Sequence, residues 1–166
     1  MTERASLIEG NIAVLIEGLG LISQLDSEVY ASCRSPLQKG GIGSHLRHCL
    51  EFYQVFLGSY LSRRVDYDLR ARNPILESDL QAALVYGREL IGQLPGIAEK
   101  PLDTLQVRHD GSGWCVSSIE RELTFLLSHT VHHFSIIAIA LRLRGIEPGG
   151  VFGVAPSTLA HRKGAA

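Results

Sequence analysis

Residues 117–145 read SSIERELTFLLSHTVHHFSIIAIALRLRG, and this stretch decides the fold. Ser117 followed by Glu120 has the spacing of a capping box, in which two side chains bind the free backbone N–H groups at the start of a helix. Gly145 is the residue type that often follows a helix end. Apolar side chains fill most of the positions in between. The stretch therefore predicts one long helix over residues 118–144.

Three other segments repeat apolar side chains at three- and four-residue steps, which is the pattern of an amphipathic helix. They cover residues 6–30, 42–64 and 79–94. The last of them begins at a second capping box, formed by Ser78 and Gln81. Helices that each have an apolar face bury those faces against one another. The sequence predicts an all-α fold, a four-helix bundle with up-down or one-crossover connections.

The remaining segments connect or follow these helices. LQVRHDGSGWCV, residues 105–116, has two β-prone runs around Asp110 and Gly111, which favours a tight hairpin turn. We therefore expect a small β-hairpin between the third and fourth helices. The charged stretch VDYDLRARNP, residues 65–74, is predicted to be a connection. The tail, residues 149–166, has no apolar period and is predicted to be an extended segment packed over the bundle.

Length and charge restrict the number of domains and the kind of partner. The 166 residues suit a single domain over residues 1–166. With 16 basic and 17 acidic residues the net charge is −1, so we expect no nucleic-acid partner. The first residues lack the pattern of a signal sequence, and no apolar run reaches the roughly 18–20 residues of a membrane span. These features predict a cytoplasmic protein without a membrane partner.

The sequence has three cysteines. Cys33, Cys49 and Cys115 are too few and too scattered for a disulfide framework, and no C-x-x-C pair occurs. We expect all of them to be free thiols.

Histidines interrupt the apolar run of the fourth helix. His129, His132 and His133 lie within five positions. Residues four apart share one face of a helix, so His129 and His133 can approach the same point. His132 is rotated by about 100° from His133 on the helix surface, which makes it a weaker candidate ligand.

A second pair of histidines begins the second helix, at His45 and His48. Helical bundles often build metal sites from a pair of ligands on one helix and a further ligand on a facing helix. His48, His129 and His133 fit that arrangement, with His45 and His132 as accessory candidates. The alternative is that each imidazole is a structural residue with a hydrogen-bond partner. Histidine-only ligation suits zinc, nickel, copper or iron, and the sequence does not choose among them.

The segments IGSHLRHCLEFY and LSHTVHHFSIIAIALRLRG resemble the DinB/YfiT-like superfamily of metal-dependent four-helix-bundle proteins. With VDYDLRARNP and FGVAPSTLAHR they are similar to a subgroup of DinB-like proteins of unassigned activity. The resemblance implies that His48, in the family's I-G-x-x-x-x-H pattern, and the pair His129 and His133 bind one divalent metal ion. The chain departs from the family at residues 134–136, where many members have Lys/Arg-Gly-Gln and this sequence has FSI.

The resemblance also implies a range of functions. The metal is expected to be zinc or nickel, with iron, manganese or copper as alternatives, and some relatives use a low-molecular-weight thiol. Three protein ligands leave a coordination position open, as in catalytic metal sites. The first hypothesis is therefore a metal-dependent enzyme that acts on a small molecule by hydrolysis or thiol-dependent transfer. The alternative is a non-catalytic, stress-linked metal-binding bundle. A homodimer is expected in either case.

Other polar residues are weaker candidates. Glu51 and Glu122 lie one to two turns from the predicted ligands and are candidate catalytic carboxylates, with solvated or capping carboxylates as the alternative. Arg70 and Arg72 are candidate substrate-binding residues, with a solvated link as the alternative. Residues 152–159 could form a lid over the metal site or simply cap the bundle.

Overall fold

The computed structural model describes residues 2–32, 41–99 and 104–164, and within them the chain is mostly helical with a small sheet. The helices are α1 (Glu3–Ile22), α2 (Ser27–Ala31), α3 (Gly41–Ser59), α4 (Ile75–Ser78), α5 (Leu80–Gln93), α6 (Ile119–Arg142) and α7 (Pro156–Gly164). The strands are β1 (Arg64–Asp66), β2 (Leu105–Arg108) and β3 (Cys115–Ser117).

The four long helices α1, α3, α5 and α6 surround a common apolar core. α1 packs against α5 and α6, and α3 packs against the same two helices. Buried side chains from all four fill the space between them, among them Leu15, Leu50, Leu84 and Ile137. The prediction of a mostly helical fold around one core is thus confirmed.

A buried polar network fixes how three of these helices align. The hydroxyl of Tyr53 on α3 donates to Asn11 Oδ1 on α1 at 2.7 Å, and Asn11 Nδ2 donates to the carbonyl of Leu123 on α6 at 3.0 Å. Thr130 Oγ1 on α6 lies 3.3 Å from the Tyr53 hydroxyl. Burial raises the pKa of Tyr53, so its hydroxyl stays protonated and can donate. An unpaired buried polar group is costly, which favours this one alignment.

The sheet has three strands in the order β1-β2-β3. β2 and β3 form the predicted antiparallel hairpin, with Gln106 opposite Val116. β1 pairs in parallel with β2, with Val65 opposite Val107, although residues 65–74 were expected to be only a connection. The prediction missed β1 because three residues are too short for a recognisable alternation, and its pairing is decided by a distant strand.

The predicted helix over residues 6–30 is two helices, so that boundary is wrong. α1 ends at Ile22, and the chain is extended at Asp26 before α2 begins. Leu25 and Tyr30 are nevertheless buried in the core. The apolar spacing therefore continues across the non-helical residues between α1 and α2, and periodicity alone does not detect that interruption.

The predicted helix over residues 42–64 is also shorter in the structure. α3 ends at Ser59 and a 3₁₀ turn, Tyr60–Ser62, follows it. Arg63 adopts a left-handed backbone with φ 60°, which turns the chain into β1.

At both helix starts where a capping box was predicted, the capping residue is one position later than expected. Asp79, rather than Ser78, caps α5 by accepting from the Ala82 N–H at 2.9 Å. Ser118, rather than Ser117, caps α6 by accepting from the Arg121 N–H at 3.2 Å.

The tail is not simply extended, because α7 forms over Pro156–Gly164. Before it, the buried Phe152 stacks on Phe134 of α6 with ring centroids 5.1 Å apart. The Ser135 hydroxyl donates to the carbonyl of Gly153 at 2.5 Å. Gly153 has φ 73° and lies so close to the α6 backbone that a Cβ would be 2.7 Å from the Ser135 nitrogen. These contacts support the hypothesis that the segment caps the bundle.

In the part of the chain that the structure describes, two helices, Glu3–Ile22 and Ile119–Arg142, are long and apolar enough to cross a membrane. The core helices of soluble proteins meet the same criteria, so this is weak evidence, and 39% and 44% of the two apolar windows are buried within the protein. The absence of a membrane partner stays a prediction.

Cys49 is a buried free thiol and Cys115 is an exposed one, in agreement with the prediction. Burial raises the pKa of the Cys49 thiol. Cys33 lies outside the described residues.

Gly43, in the first turn of α3, gives a test of this packing. A Cβ at Gly43 would lie 2.1 Å from the carbonyl oxygen of Glu77 and 3.0 Å from the ring of Tyr30. We expect Gly43→Ala to lower the free energy of unfolding by about 1–3 kcal/mol because the backbone must move. Gly58→Ala is the matched control on the same helix, since nothing lies within 4 Å of its added Cβ. In Gly58→Ala the higher helix propensity of alanine should raise the free energy of unfolding by up to about 1 kcal/mol. Urea denaturation followed by circular dichroism measures both, and equal effects would contradict the packing.

Candidate metal centre

Two facing helices bring together the three histidines that the sequence predicted as ligands. His48 lies on α3, and His129 and His133 lie one turn apart on α6. One ring nitrogen from each lies within 4.8 Å of the others. His48 Nε2 and His129 Nε2 are 3.2 Å apart. We call this group the three-histidine site; its imidazoles are close enough to bind one metal ion.

The two accessory candidates lie at the edge of this site. His45 Nδ1 is 2.9 Å from His133 Nδ1, so His45 contacts one member of the group. His132 is exposed, and its ring centroid is 5.2 Å from that of His133. An accessory role for either residue stays a prediction.

Burial keeps the three imidazoles neutral at neutral pH. The pKa values of His48, His129 and His133 are each lowered to about 3, mainly because burial disfavours the charged ring. The charges of neighbouring histidines add to the effect in each case. A neutral imidazole has a free lone pair, which is the form that binds metal ions.

The donor set fits a divalent transition metal. Three neutral nitrogen donors are ligands that zinc and nickel accept readily. His129 Nδ1 is a buried nitrogen without a hydrogen-bond partner among the described residues. His48 Nε2 and His129 Nε2 are 3.2 Å apart, too close for two lone pairs that face each other. Either one ring donates a proton to the other, or both nitrogens bind the same cation.

Aromatic rings form one wall of the site. The Phe52 ring centroid lies 4.8 Å from that of His48 and 4.2 Å from that of His129. Phe125 lies 5.5 Å from His129, and Tyr67 stacks on Phe52 at 5.0 Å. An apolar shell of this kind restricts water and fixes the orientation of the imidazoles.

Comparison of the chain with protein-family models, with curated proteins and with solved structures found no match. Membership of the DinB/YfiT-like superfamily therefore stays a prediction. The arrangement of the three-histidine site stands on the structure alone.

His109, just after β2, is a residue that the sequence interpretation missed. Its ring lies 5.4 Å from Phe52 and 5.6 Å from Phe125. His109 and Phe125 also line a cavity of about 220 Å³. Other lining residues are Tyr67, Cys115, Arg121 and Glu122. Because β2 brings His109 here from a separate segment, helical spacing gives no signal for it.

Glu51 is an anchor for the segment that follows β1 rather than a member of the three-histidine site. Its side chain is 1% exposed, and it accepts the backbone N–H of Asn73 at 2.6 Å. Arg47, one turn earlier on α3, pairs with it at 3.3 Å. The carboxylate thus fastens the segment containing Arg70 to the helix that carries His48.

Glu122 anchors the sheet to α6. It is fully buried and accepts the hydroxyls of Tyr67 at 2.9 Å and Ser117 at 2.5 Å. Arg121 pairs with it at 3.1 Å. Glu122 lines the cavity, but it is not one of the residues in the three-histidine site. A catalytic role for Glu122 or for Glu51 stays a prediction.

The structure separates the two candidate arginines. The guanidinium carbon of Arg70 lies 4.4 Å above the centre of the Phe52 ring, and that ring contacts His48 and His129. Arg72 is exposed and has a left-handed backbone with φ 51°. Arg70 therefore lies beside the site, whereas Arg72 lies on the surface.

The anchoring role of Glu51 is testable by removing its charge. We expect Glu51→Gln to lower the free energy of unfolding by about 1–3 kcal/mol, because a buried charge-assisted hydrogen-bond network loses its anion. Glu77→Gln is the matched control, since Glu77 pairs with the same Arg47 at 2.8 Å but is 34% exposed. An ion pair that faces water should contribute at most about 1 kcal/mol. Urea denaturation measures both variants, and an equal loss would contradict the anchoring role.

Proposed function

We propose that the protein is a metal-dependent enzyme with a four-helix bundle of the DinB/YfiT type, which binds one divalent transition metal through His48, His129 and His133. The observation that carries the proposal is the convergence of three imidazole nitrogens from two helices within 4.8 Å. Zinc or nickel is the expected metal, with iron, manganese or copper as alternatives.

The surroundings of the site favour catalysis on a small molecule. Three protein ligands leave room for water or substrate at the metal, and the three histidines are only partly buried. When bound, such an ion supplies a Lewis acid and can lower the pKa of a bound water toward about 7. Phe52 and Phe125 restrict bulk water around the imidazoles and hold their rings in place. A cavity of about 220 Å³ lies on the other side of Phe125, and none of the three histidines is among its lining residues.

The reaction class follows from the resemblance rather than from the geometry. We propose hydrolysis or a transfer that uses a low-molecular-weight thiol. A cytoplasmic location and a homodimer stay predictions from the sequence.

A non-catalytic, stress-linked metal-binding role is the second candidate. The observation that favours it concerns residues 134–136. Many members of the resembled family have Lys/Arg-Gly-Gln at these positions, whereas this chain has Phe, Ser and Ile. Phe134 is buried and stacks on Phe152, and Ser135 binds the tail at Gly153. Two of these positions therefore serve packing in this chain rather than chemistry.

Metal content tests the proposed site directly. Protein purified without a histidine tag should contain about one transition-metal ion per chain by elemental analysis. The double variant His48→Ala/His133→Ala should lose it, because two of three ligands are removed. His132→Ala is the control on the same helix and should retain the metal, since His132 is exposed and outside the three-histidine site. A wild-type chain that takes up no metal, even with added zinc or nickel, would overturn the proposal.

Removal of the metal separates the enzyme from the structural alternative. We expect the chelated protein and His129→Ala to keep their helical circular dichroism spectrum, because the apolar core between the four long helices does not depend on the site. Turnover should fall by at least about 10–100-fold in His129→Ala, since loss of residues that only support metal ligands already costs that much. A screen of hydrolytic and transfer substrates, with and without thiols, supplies the activity. Unfolding on chelation, with no turnover in the intact protein, would favour the non-catalytic role.

A further inference from the structure

Arg70 is a positively charged residue held in place beside the three-histidine site. Its guanidinium lies over the Phe52 ring in a cation–π contact, with 4.4 Å between the guanidinium carbon and the ring centre. Arg70 Nη1 also donates to the backbone carbonyl of Tyr67. The side chain is only partly exposed. These two contacts fix the position of the guanidinium without neutralising its charge.

No carboxylate pairs with Arg70 among the described residues. The carboxylates of Asp68, Glu51 and Asp110 act on Arg70 electrostatically, but none of them lies within ion-pair distance of it. The two Asp68 oxygens accept the N–H groups of Asp110 and Gly111, at 2.9 Å each. By contrast, Arg108 forms an ion pair with Asp66 within the same region. A partly desolvated cation without a directly bonded carboxylate can gain a charge-assisted pair from a ligand that carries an anionic group.

Arg70 shares the Phe52 ring with two of the proposed metal ligands. The Phe52 ring that supports Arg70 contacts both His48 and His129, with centroids 4.8 and 4.2 Å away. Arg70 is therefore beside the proposed metal ligands without being a ligand itself.

We propose that Arg70 is a substrate-binding residue that pairs with the anionic group of a small substrate at the three-histidine site. This inference rests on the proposed function and adds the substrate class to it. A guanidinium has five N–H donors, and only one nitrogen is used by the Tyr67 carbonyl. The others can bind two oxygens of one carboxylate or phosphate. Carboxylates and phosphates share this chemistry, and the experiment separates them.

A purely structural role of Arg70, in which it only holds Phe52 against the histidines, predicts a different result. Loss of Arg70 would then loosen the imidazoles and weaken every ligand of the site, charged or neutral. An anion-binding role predicts that only anions are affected. The comparison of a neutral and an anionic probe therefore distinguishes the two.

The experiment uses the full chain loaded with cobalt(II), whose visible absorption reports on ligands that bind at or beside the ion. Cobalt uptake per chain is measured first by elemental analysis. Acetate, inorganic phosphate and imidazole are then titrated into wild type, Arg70→Gln and Arg70→Lys. Arg72→Gln is the matched control, because Arg72 is an exposed arginine in the same segment.

We expect Arg70→Gln to weaken the tighter of acetate and phosphate by at least about tenfold, because a charge-assisted pair is lost. Arg70→Lys, which keeps the charge but not the planar fork, should recover part of that affinity. Arg72→Gln should stay within about twofold of wild type, and imidazole affinity should be unchanged in all variants. Whether acetate or phosphate binds more tightly decides which anionic group the substrate carries.

The outcomes that overturn the inference are separate from those that overturn the proposed function. A chain that takes up no cobalt overturns the three-histidine site and the inference with it. Normal cobalt uptake, with anion affinity that is absent in wild type or unchanged in Arg70→Gln, overturns the inference alone. An equal loss of imidazole and anion affinity in Arg70→Gln assigns Arg70 the structural role and also overturns it.

Discussion

The alignment of α3 with α6 is the constraint on which the candidate site depends. Apolar packing between the helices supplies most of the stabilisation, but it tolerates small shifts along the helix axes. Tyr53 removes that freedom, because its buried hydroxyl must bond to Asn11 on α1 and lie beside Thr130 on α6. Thr130 directly follows His129, and Tyr53 lies little more than one turn after His48. The hydrogen bonds between the buried polar side chains of the core therefore also bring the imidazoles together.

Two buried carboxylates attach the non-helical segments to the helices α3 and α6. Glu51 binds the backbone at Asn73, and Glu122 accepts hydroxyls from Tyr67 and Ser117. Each carboxylate is buried and paired, as a buried anion must be. Both were candidate catalytic residues in the sequence, yet their partners show how they hold the sheet and the segment after β1 against the helices. That segment contains the one arginine whose position matters for the site.

The surroundings of the three-histidine site combine apolar walls with the positive charge of Arg70. Burial keeps the imidazoles neutral, which leaves their lone pairs free, and the aromatic rings limit the access of water. Under the proposed function, a metal ion and Arg70 would make this small region strongly positive. A site of that kind favours an anionic substrate that can meet both charges at once.

The sequence by itself determined the helical class, the hairpin at Asp110–Gly111 and the face shared by His129 and His133, because helical and strand periods and turn chemistry are local. It also indicated His48, through the spacing of bundle ligands and a family resemblance. Only the tertiary structure decided the break after α1, the pairing of β1, the helix in the tail and the placement of Arg70 on Phe52. These features depend on contacts between segments far apart in the chain, and no local pattern encodes which distant surface a residue will meet.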